Sequence, residues 1–302
     1  MRRFAKPGTL VLLGGAALLF AGCAAYTGIT RHRCQAWEAR QGWNADGTRT
    51  GCEPISAGKG SPALLMVHGF GDNPSVWKPM MEDFTARGYH CRAMLLPGFG
   101  DRLATRKSVT EQSWLDALDK ELMRLSRDHA EIWLVGHSTG ASVCVRHVLE
   151  NPGPSPIKGL VLLSPLIEVS RVRSPLLSPR TWHNAFKRWI GITETPFPED
   201  QRKPAPPDRV AVERFITPNI NDALFSLIDF IAPRAKEITL PLFVAVSPHD
   251  HVTSPAASLA WHDQASAAPV RRLFLAGNSA HVLPLDHDAD ALVREIDDFI
   301  RR

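Results

Sequence analysis

The sequence predicts an α/β fold with a mostly parallel, doubly wound sheet. From residue 62 onward, short apolar runs alternate with segments of helical periodicity, as expected for a parallel sheet covered by helices on both faces. In addition, 44% of the 302 residues are hydrophobic, which suffices for one large core. The predicted strands are 63–69, 90–96, 131–136, 157–164, 240–247 and 270–277.

The helices between these strands begin at residues that favour capping. Asn73 can cap a helix with Pro74 at its first position, and Thr110 can cap a helix whose leucines share one face. Asp286 is the expected N-cap of the last helix, about 286–301, which closes the domain 62–302. The apolar stripes of these helices are expected to lie in the core.

A long segment between the fourth and fifth predicted strands breaks the alternation. It contains a proline-rich stretch at 193–208 and two apolar helical patterns, one around Trp182 and one at 221–231. Because so long a connection does not fit within a compact sheet, we expect a helical cap inserted at about 168–238, over the active site. A packing subdomain without substrate contact is the alternative.

The N-terminus has the form of a bacterial export signal. Three basic residues precede an apolar run that is short and glycine-rich for a membrane span. Small residues before Cys23 resemble the lipobox of bacterial lipoproteins, in which the chain is cleaved before a diacylated cysteine, and Ala24 favours the outer membrane. We expect 1–22 to be a lipoprotein signal and the protein to be lipid-anchored in the cell envelope, facing the periplasm. An ordinary signal peptide, or an uncleaved anchor helix with an incidental cysteine, is the alternative.

The charge and cysteine content of the remaining chain limit its partners and its redox state. Removal of 1–22 takes away three of the 35 basic residues and leaves 32 against 31 acidic ones, so no basic stripe remains for nucleic acid. In the extension 23–61, Cys34 and Cys52 flank a polar stretch. We expect them to form a disulfide in an oxidising periplasm, with two free thiols as the alternative.

A nucleophile is indicated by the stretch "WLVGHSTGAS" at 133–142. Here an apolar strand leads directly into a helical pattern, and Gly136 and Gly140 lie on either side of Ser138. A strand that turns abruptly into a helix forces its corner residue into an unfavourable backbone conformation, and the glycines let the two arms pass. Ser138 is therefore the candidate nucleophile.

A serine nucleophile needs a base, and the base needs a group that orients it. Asp250 and His281 each follow a predicted strand, and the carboxyl ends of parallel strands meet at one edge of the sheet. The chain order Ser138, Asp250, His281 is the one associated with this type of turn. His287 is the local alternative to His281.

Neither a metal ion nor another cofactor is expected. His249 and His251 flank Asp250, but no histidine or cysteine partner set with metal-ligand spacing accompanies them.

Four motifs together resemble the α/β-hydrolase superfamily, in its capped carboxylesterase and monoacylglycerol-lipase branch. They are the H-G-x strand end in "MVHGFGDN", the G-H-S-x-G turn, the D-x-V loop and "SAHV". The resemblance covers about residues 62–301 and implies that the amides of Phe70 and Thr139 form an oxyanion hole. Some family members take their acid from the preceding strand end, where Glu168 lies, so Glu168 remains an alternative to Asp250. Phe99 replaces the commoner histidine in "LPGFGDR".

We therefore expect a serine hydrolase that cleaves a medium-chain acyl ester, a monoacylglycerol or a lysophospholipid through an acyl-enzyme. Thioesterases and serine aminopeptidases use the same triad, and the sequence does not separate them from esterases. An alternative function of a different class is that of a non-catalytic envelope lipoprotein that binds lipid. The expected partners are a small acyl ester or lipid and the membrane.

Overall fold

The computed structural model describes residues 7–174, 176–195 and 197–302. A seven-stranded sheet has the strand order β1-β3-β2-β4-β5-β8-β9, and every neighbouring pair is parallel except β1 and β3. Its strands are β1 (Ile55–Ala57), β2 (Ala63–Val67), β3 (His90–Met94), β4 (Ile132–His137), β5 (Ile157–Leu163), β8 (Leu242–Val246) and β9 (Arg271–Leu275). The predicted fold class is confirmed, and β1 is an added short edge strand.

Helices cover both faces of this sheet. In chain order, the helices of the described residues are α1 (Pro7–Glu38), α2 (Lys78–Ala86), α3 (Leu103–Arg106), α4 (Glu111–Leu125), α5 (Thr139–Glu150), α6 (Pro179–Phe186), α7 (Pro218–Ile231), α8 (Pro255–Gln264) and α9 (Ala289–Arg301). Short 3-10 turns lie at Pro74–Trp77, Ala232–Glu237 and Leu283–Leu285. Side chains of α4, α5, α7 and α8 form the core on one face, and those of α2 and α9 form it on the other.

The capping predictions hold at two helices and fail at the third. Asn73 accepts a hydrogen bond from the Ser75 amide and caps the 3-10 turn that leads into α2, and Thr110 caps α4. Asp286 is not the N-cap of the last helix, which begins at Ala289 after Asp288. The Asp286 carboxylate is already occupied, because it accepts hydrogen bonds from the backbone amides of residues 202, 203, 280 and 287.

The long segment between β5 and β8 contains α6, a two-stranded pairing of β6 (Thr193–Glu194) with β7 (Phe215–Ile216), and α7. None of the side chains of α6 is buried, whereas α7 places Ile220, Leu227 and Ile231 in the main core. The apolar pattern at 221–231 therefore packs against the sheet domain. The irregular chain between α6 and α7 runs beside the carboxyl edge of the sheet.

The C-terminal part of α1 packs against the β6–β7 pair. Cys34 is buried with Ile192 and Phe215, and the Trp37 and Phe215 ring centroids are 6.0 Å apart. In the described part of the chain, no helix is both long enough and apolar enough to span a bilayer.

The predicted disulfide between Cys34 and Cys52 is wrong, since both cysteines are free thiols. Cys34 lies in the apolar cluster under α1, where burial raises the pKa of its thiol to about 12. Cys52 instead packs beside Arg49, whose Nε donates to the Cys52 Sγ at 3.2 Å. Each sulfur thus has its own packing environment, and neither is paired.

Candidate active site

The turn at Ser138 connects β4 directly to α5. Ser138 has φ 52° and ψ −117°, a conformation that side-chain-bearing residues rarely adopt. A Cβ at Gly136 would overlap the Cα of Ala141, and a Cβ at Gly140 would overlap the carbonyl oxygen of Val67. Both glycines are therefore needed for the strand and the helix to approach each other, and the turn exposes the Ser138 side chain to a cavity.

Asp250 and His281 meet at the carboxyl ends of β8 and β9. The His281 Nδ1 and the Asp250 Oδ2 are 2.7 Å apart, and Asp250 also accepts hydrogen bonds from Val252 and Thr253. Burial alone would raise the pKa of Asp250, but His281 and these donors lower it to about 2. The carboxylate is therefore ionised at neutral pH, so the His281 Nδ1 carries the proton that it accepts and Nε2 is left for a reaction.

Ser138 and His281 line the same cavity, which has a volume of about 160 Å³. No hydrogen bond joins their side chains among the described residues. The structure thus brings Asp250 and His281 into direct contact and places Ser138 at the cavity that His281 also faces. Glu168 and His287 are exposed, and within the described part of the chain neither side chain forms a hydrogen bond or ion pair with Asp250 or His281.

Two further histidines brace the loops of the site. His68 donates from Nδ1 to the Gly69 carbonyl at 2.8 Å and accepts from the Leu96 amide at 3.0 Å. His137 donates from Nε2 to the His281 carbonyl at 3.0 Å, which fixes the backbone of that residue. His68 belongs to the H-G motif and His137 to the G-H motif. Neither motif indicates the hydrogen-bond partner of its histidine.

Burial keeps both bracing histidines neutral and makes stability depend on pH. Burial lowers the pKa of His68 and of His137 to about 4, whereas an unfolded chain retains about 6.5. Between pH 6.5 and 4 the unfolded state therefore binds the extra protons. As the pH is lowered through this window, we expect the free energy of unfolding to fall by about 1.4 kcal/mol per pH unit for each histidine.

Urea unfolding at pH 7, 6, 5 and 4 measures this dependence. His137→Gln should remove one histidine's share of the slope, and His32→Gln, which changes an exposed histidine on α1, serves as the control. A slope that is identical in the wild type and in His137→Gln would contradict the assignment.

The expected oxyanion-hole amides belong to Phe70, which lines the same cavity, and to Thr139, which directly follows the cavity residue Ser138. Neither amide donates a hydrogen bond to another described residue. Thr139 is the first residue of α5, where helix amides lack internal partners and favour negative charge. Phe99 packs its ring against Phe70 and Trp114, so the side chain that departs from the family pattern is part of the core.

Charged residues of the segment before α7 also line this cavity, and no sequence motif marks them. The Arg209 guanidinium binds Asp72 and Glu199, each at 2.7 Å. Asp200 pairs with Arg173 at 3.2 Å, and its carbonyl accepts from the amide of residue 282. No local pattern could have revealed these pairs, because most of their partners lie on distant segments of the chain.

No group of three or more potential metal ligands occurs in 7–174, 176–195 and 197–302. The chemistry that the described side chains can support is nucleophilic attack by a hydroxyl, assisted by an oriented imidazole.

Comparisons with known proteins agree with this architecture. Residues 59–288 match the family Hydrolase_4, described as serine aminopeptidase, S33. A thermostable monoacylglycerol lipase from Bacillus sp. (strain H-257) is 22% identical over 254 residues, which cover 84% of this chain and 96% of the lipase. A carboxylesterase from Bacillus subtilis (strain 168) is also 22% identical over 254 residues, covering 83% of this chain and 96% of the esterase.

A solved structure of similar fold is the monoacylglycerol lipase of Paleococcus ferrophilus. Its TM-score is 0.68 at 19% identity, with 82% of this chain and 98% of the lipase covered. At this identity the likeness shows the fold alone. The family match spans well over half of the chain, and the chain therefore belongs to the Hydrolase_4 family and has the α/β-hydrolase fold.

Proposed function

We propose that this chain is a serine hydrolase that cleaves carboxylic esters through an acyl-enzyme, with Ser138 as nucleophile, His281 as base and Asp250 as the orienting acid. The observation that carries the proposal is the 2.7 Å contact between Asp250 and His281 beside a serine held at a strained strand-to-helix turn. The relatives named monoacylglycerol lipase and carboxylesterase support the same type of substrate.

The reaction follows from these positions. His281 Nε2 accepts the Ser138 proton as Oγ attacks the ester carbonyl, and the resulting oxyanion accepts hydrogen bonds from the amides of Phe70 and Thr139. The imidazolium then protonates the leaving alcohol, and the acyl group remains on Ser138. Water, deprotonated by His281, then attacks the acyl-enzyme. As the second tetrahedral state collapses and releases the carboxylic acid, His281 returns this proton to the Ser138 Oγ. Asp250 holds the imidazole in the required tautomer throughout.

The side chains of the cavity wall favour an ester substrate over a peptide substrate whose N-terminal ammonium group must be bound. An ammonium group would need an unpaired carboxylate, but the carboxylates at the cavity already have cationic partners. These pairs are Asp72 and Glu199 with Arg209, Asp200 with Arg173, and Glu213 with Arg106. Apolar side chains complete the wall and suit an acyl chain, namely Phe70, Phe197, Val212, Val252 and Val282.

A panel of p-nitrophenyl esters of graded chain length tests the proposal, with a matched acyl thioester and an aminoacyl p-nitroanilide beside it. We expect ester turnover with the highest kcat/KM at medium chain length, and negligible turnover of the anilide. Preferred cleavage of the thioester or the anilide would replace the ester assignment by the corresponding activity.

We further propose that the chain is cleaved before Cys23 and anchored by acyl chains on this cysteine. The charged n-region, the short apolar run and the "FAGC" stretch support this proposal. In the uncleaved chain Cys23 is buried within α1, so processing requires the preceding residues to leave that helix. Two or three acyl chains would hold the protein far more firmly than one chain can.

Cys23→Ala is expected to release the protein from the membrane fraction or to leave an unprocessed precursor. Mass spectrometry of the N-terminus and membrane fractionation measure both results, with Cys91→Ala as the control at a buried cysteine. An unchanged mature mass and unchanged fractionation would rule out acylation at Cys23.

A further inference from the structure

We propose that the N-terminal extension contributes to the active site through residues 23–58, the part of it that precedes the family match. It supports a segment of the cap, Arg209–Glu213, which we call the clamp. The clamp in turn holds the loop Gly69–Asn73, which we call the oxyanion loop because it carries the Phe70 amide. This inference rests on the proposed function, and it makes Arg49 a positioning residue for ester hydrolysis.

The clamp binds the oxyanion loop immediately after Phe70. The Glu213 amide donates to the Gly71 carbonyl at 2.6 Å, and the Arg209 guanidinium binds the Asp72 carboxylate at 2.7 Å. Gly71 has φ +74°, and a Cβ on it would come within 2.9 Å of the Glu213 carbonyl oxygen. The clamp therefore lies directly against the loop, and a displacement of the clamp would move the Phe70 amide.

Arg49 of the extension supports the clamp. Its side chain is 1% exposed and donates to the Ala211 carbonyl at 2.6 Å, and its backbone amide donates to Gly100 at 2.8 Å. Next to it, a Cβ on Gly51 would lie 2.8 Å from the Val210 Cγ2. The extension thus contacts the middle of the clamp by a buried hydrogen bond and by close packing.

A second connection reaches the end of the clamp through Arg106. This arginine is fully buried and binds the buried Glu213 carboxylate at 2.6 Å. Its guanidinium also lies 3.7 Å from the carboxylate of Glu38, at the C-terminus of α1. The extension therefore supports Glu213 as well as Ala211.

These contacts act on transition-state stabilisation more than on substrate binding. The oxyanion exists only after attack, so an amide that is slightly misplaced weakens the tetrahedral state while leaving the ground state nearly unaffected. Loss of the contacts between the extension and the clamp should therefore lower kcat and leave KM nearly unchanged.

The test compares Arg49→Met and Arg49→Lys with the wild-type chain. The measurements are kcat and KM for a p-nitrophenyl ester, and inhibition by an alkyl boronic acid and by a non-hydrolysable ether analogue. We expect Arg49→Met to lower kcat and boronate affinity roughly 10-fold, with KM and ether affinity changed by less than about 2-fold. Arg49→Lys should recover part of both losses, because an ammonium can still donate to Ala211.

Arg33→Met is the matched control. Arg33 also lies in the extension, but its side chain is 60% exposed and pairs with Glu194, which is outside the clamp residues Arg209–Glu213. It should match the wild type in every measurement. Should Arg49→Met fail to fold, Glu38→Gln keeps the shape of the side chain and should lower kcat and boronate affinity about 3-fold.

Wild-type kcat and boronate affinity in a folded Arg49→Met would overturn the inference, as would equal losses of boronate and ether affinity. If the wild-type chain itself neither cleaves esters nor binds the boronate, the proposed function fails and the inference fails with it. An active wild-type enzyme that is insensitive to Arg49→Met refutes the inference alone.

Discussion

Ser138→Ala is expected to lower ester turnover by roughly 10⁵-fold, because it removes the atom to which the acyl group transfers. The substitution leaves the turn intact, since alanine keeps the Cβ and the flanking glycines still let β4 and α5 pass. Initial rates with a p-nitrophenyl ester measure the loss, and the thermal midpoint should change little.

His281→Ala should cost about as much, and the double variant should be scarcely worse than either single one. Residues that act as one catalytic unit have strongly non-additive effects. The control is Ser142→Ala, which changes a buried serine one turn into α5 whose hydroxyl bonds the Leu166 carbonyl. It should retain turnover within about 10-fold of wild type. Multiplicative losses at Ser138 and His281 would show that the two side chains act independently.

Asp250→Asn is expected to lower kcat by about 10⁴-fold. The amide can still lie beside His281, but it no longer supplies an anionic acceptor, so the wrong imidazole tautomer is favoured. The ionised Asp250, whose pKa lies at about 2, also accepts from Thr253, and Thr253→Val should therefore give a smaller loss. Steady-state kinetics of the two variants, together with Glu168→Gln, measure the effect.

Glu168→Gln should retain nearly full activity, because this exposed side chain lies outside the Asp250–His281 pair. If Glu168 proves essential while Asp250→Asn remains active, the acid is misassigned and the role of the β8 strand end must be rejected.

The parts of the site that follow from strand ends could be predicted from sequence. Ser138, Asp250 and His281 follow the carboxyl ends of β4, β8 and β9 by one, four and six residues, and a parallel sheet brings such ends to one edge. Gly136 and Gly140 marked the turn because only residues without a Cβ fit there. In these cases the local sequence pattern is enough to predict where the residue lies in the fold.

The contacts of the segment between β5 and β8 could not be predicted, because they pair residues far apart in sequence with no shared period. Arg209 and Asp72 are 137 residues apart. The apolar pattern at 221–231 indicated an amphipathic helix but not the surface that it covers, and α7 packs on the sheet domain.

Two errors have similar causes. The Cys34–Cys52 pairing was inferred from spacing and compartment, neither of which shows that Cys34, on α1, is buried against Ile192 and Phe215. Asp286 and Asp288 are both suitable N-caps by residue type. Only the structure shows that the Asp286 carboxylate already accepts hydrogen bonds from the backbone amides of residues 202 and 203.

Covalent trapping identifies the nucleophile of this chain directly. The wild-type chain is treated with a fluorescent fluorophosphonate, digested and mapped by mass spectrometry, beside Ser138→Ala and Ser142→Ala. With Ser138 as the nucleophile, we expect a single adduct on the peptide that contains Ser138, present in Ser142→Ala and absent in Ser138→Ala. An adduct on another residue, or undiminished ester cleavage by a Ser138→Ala chain, would contradict this assignment.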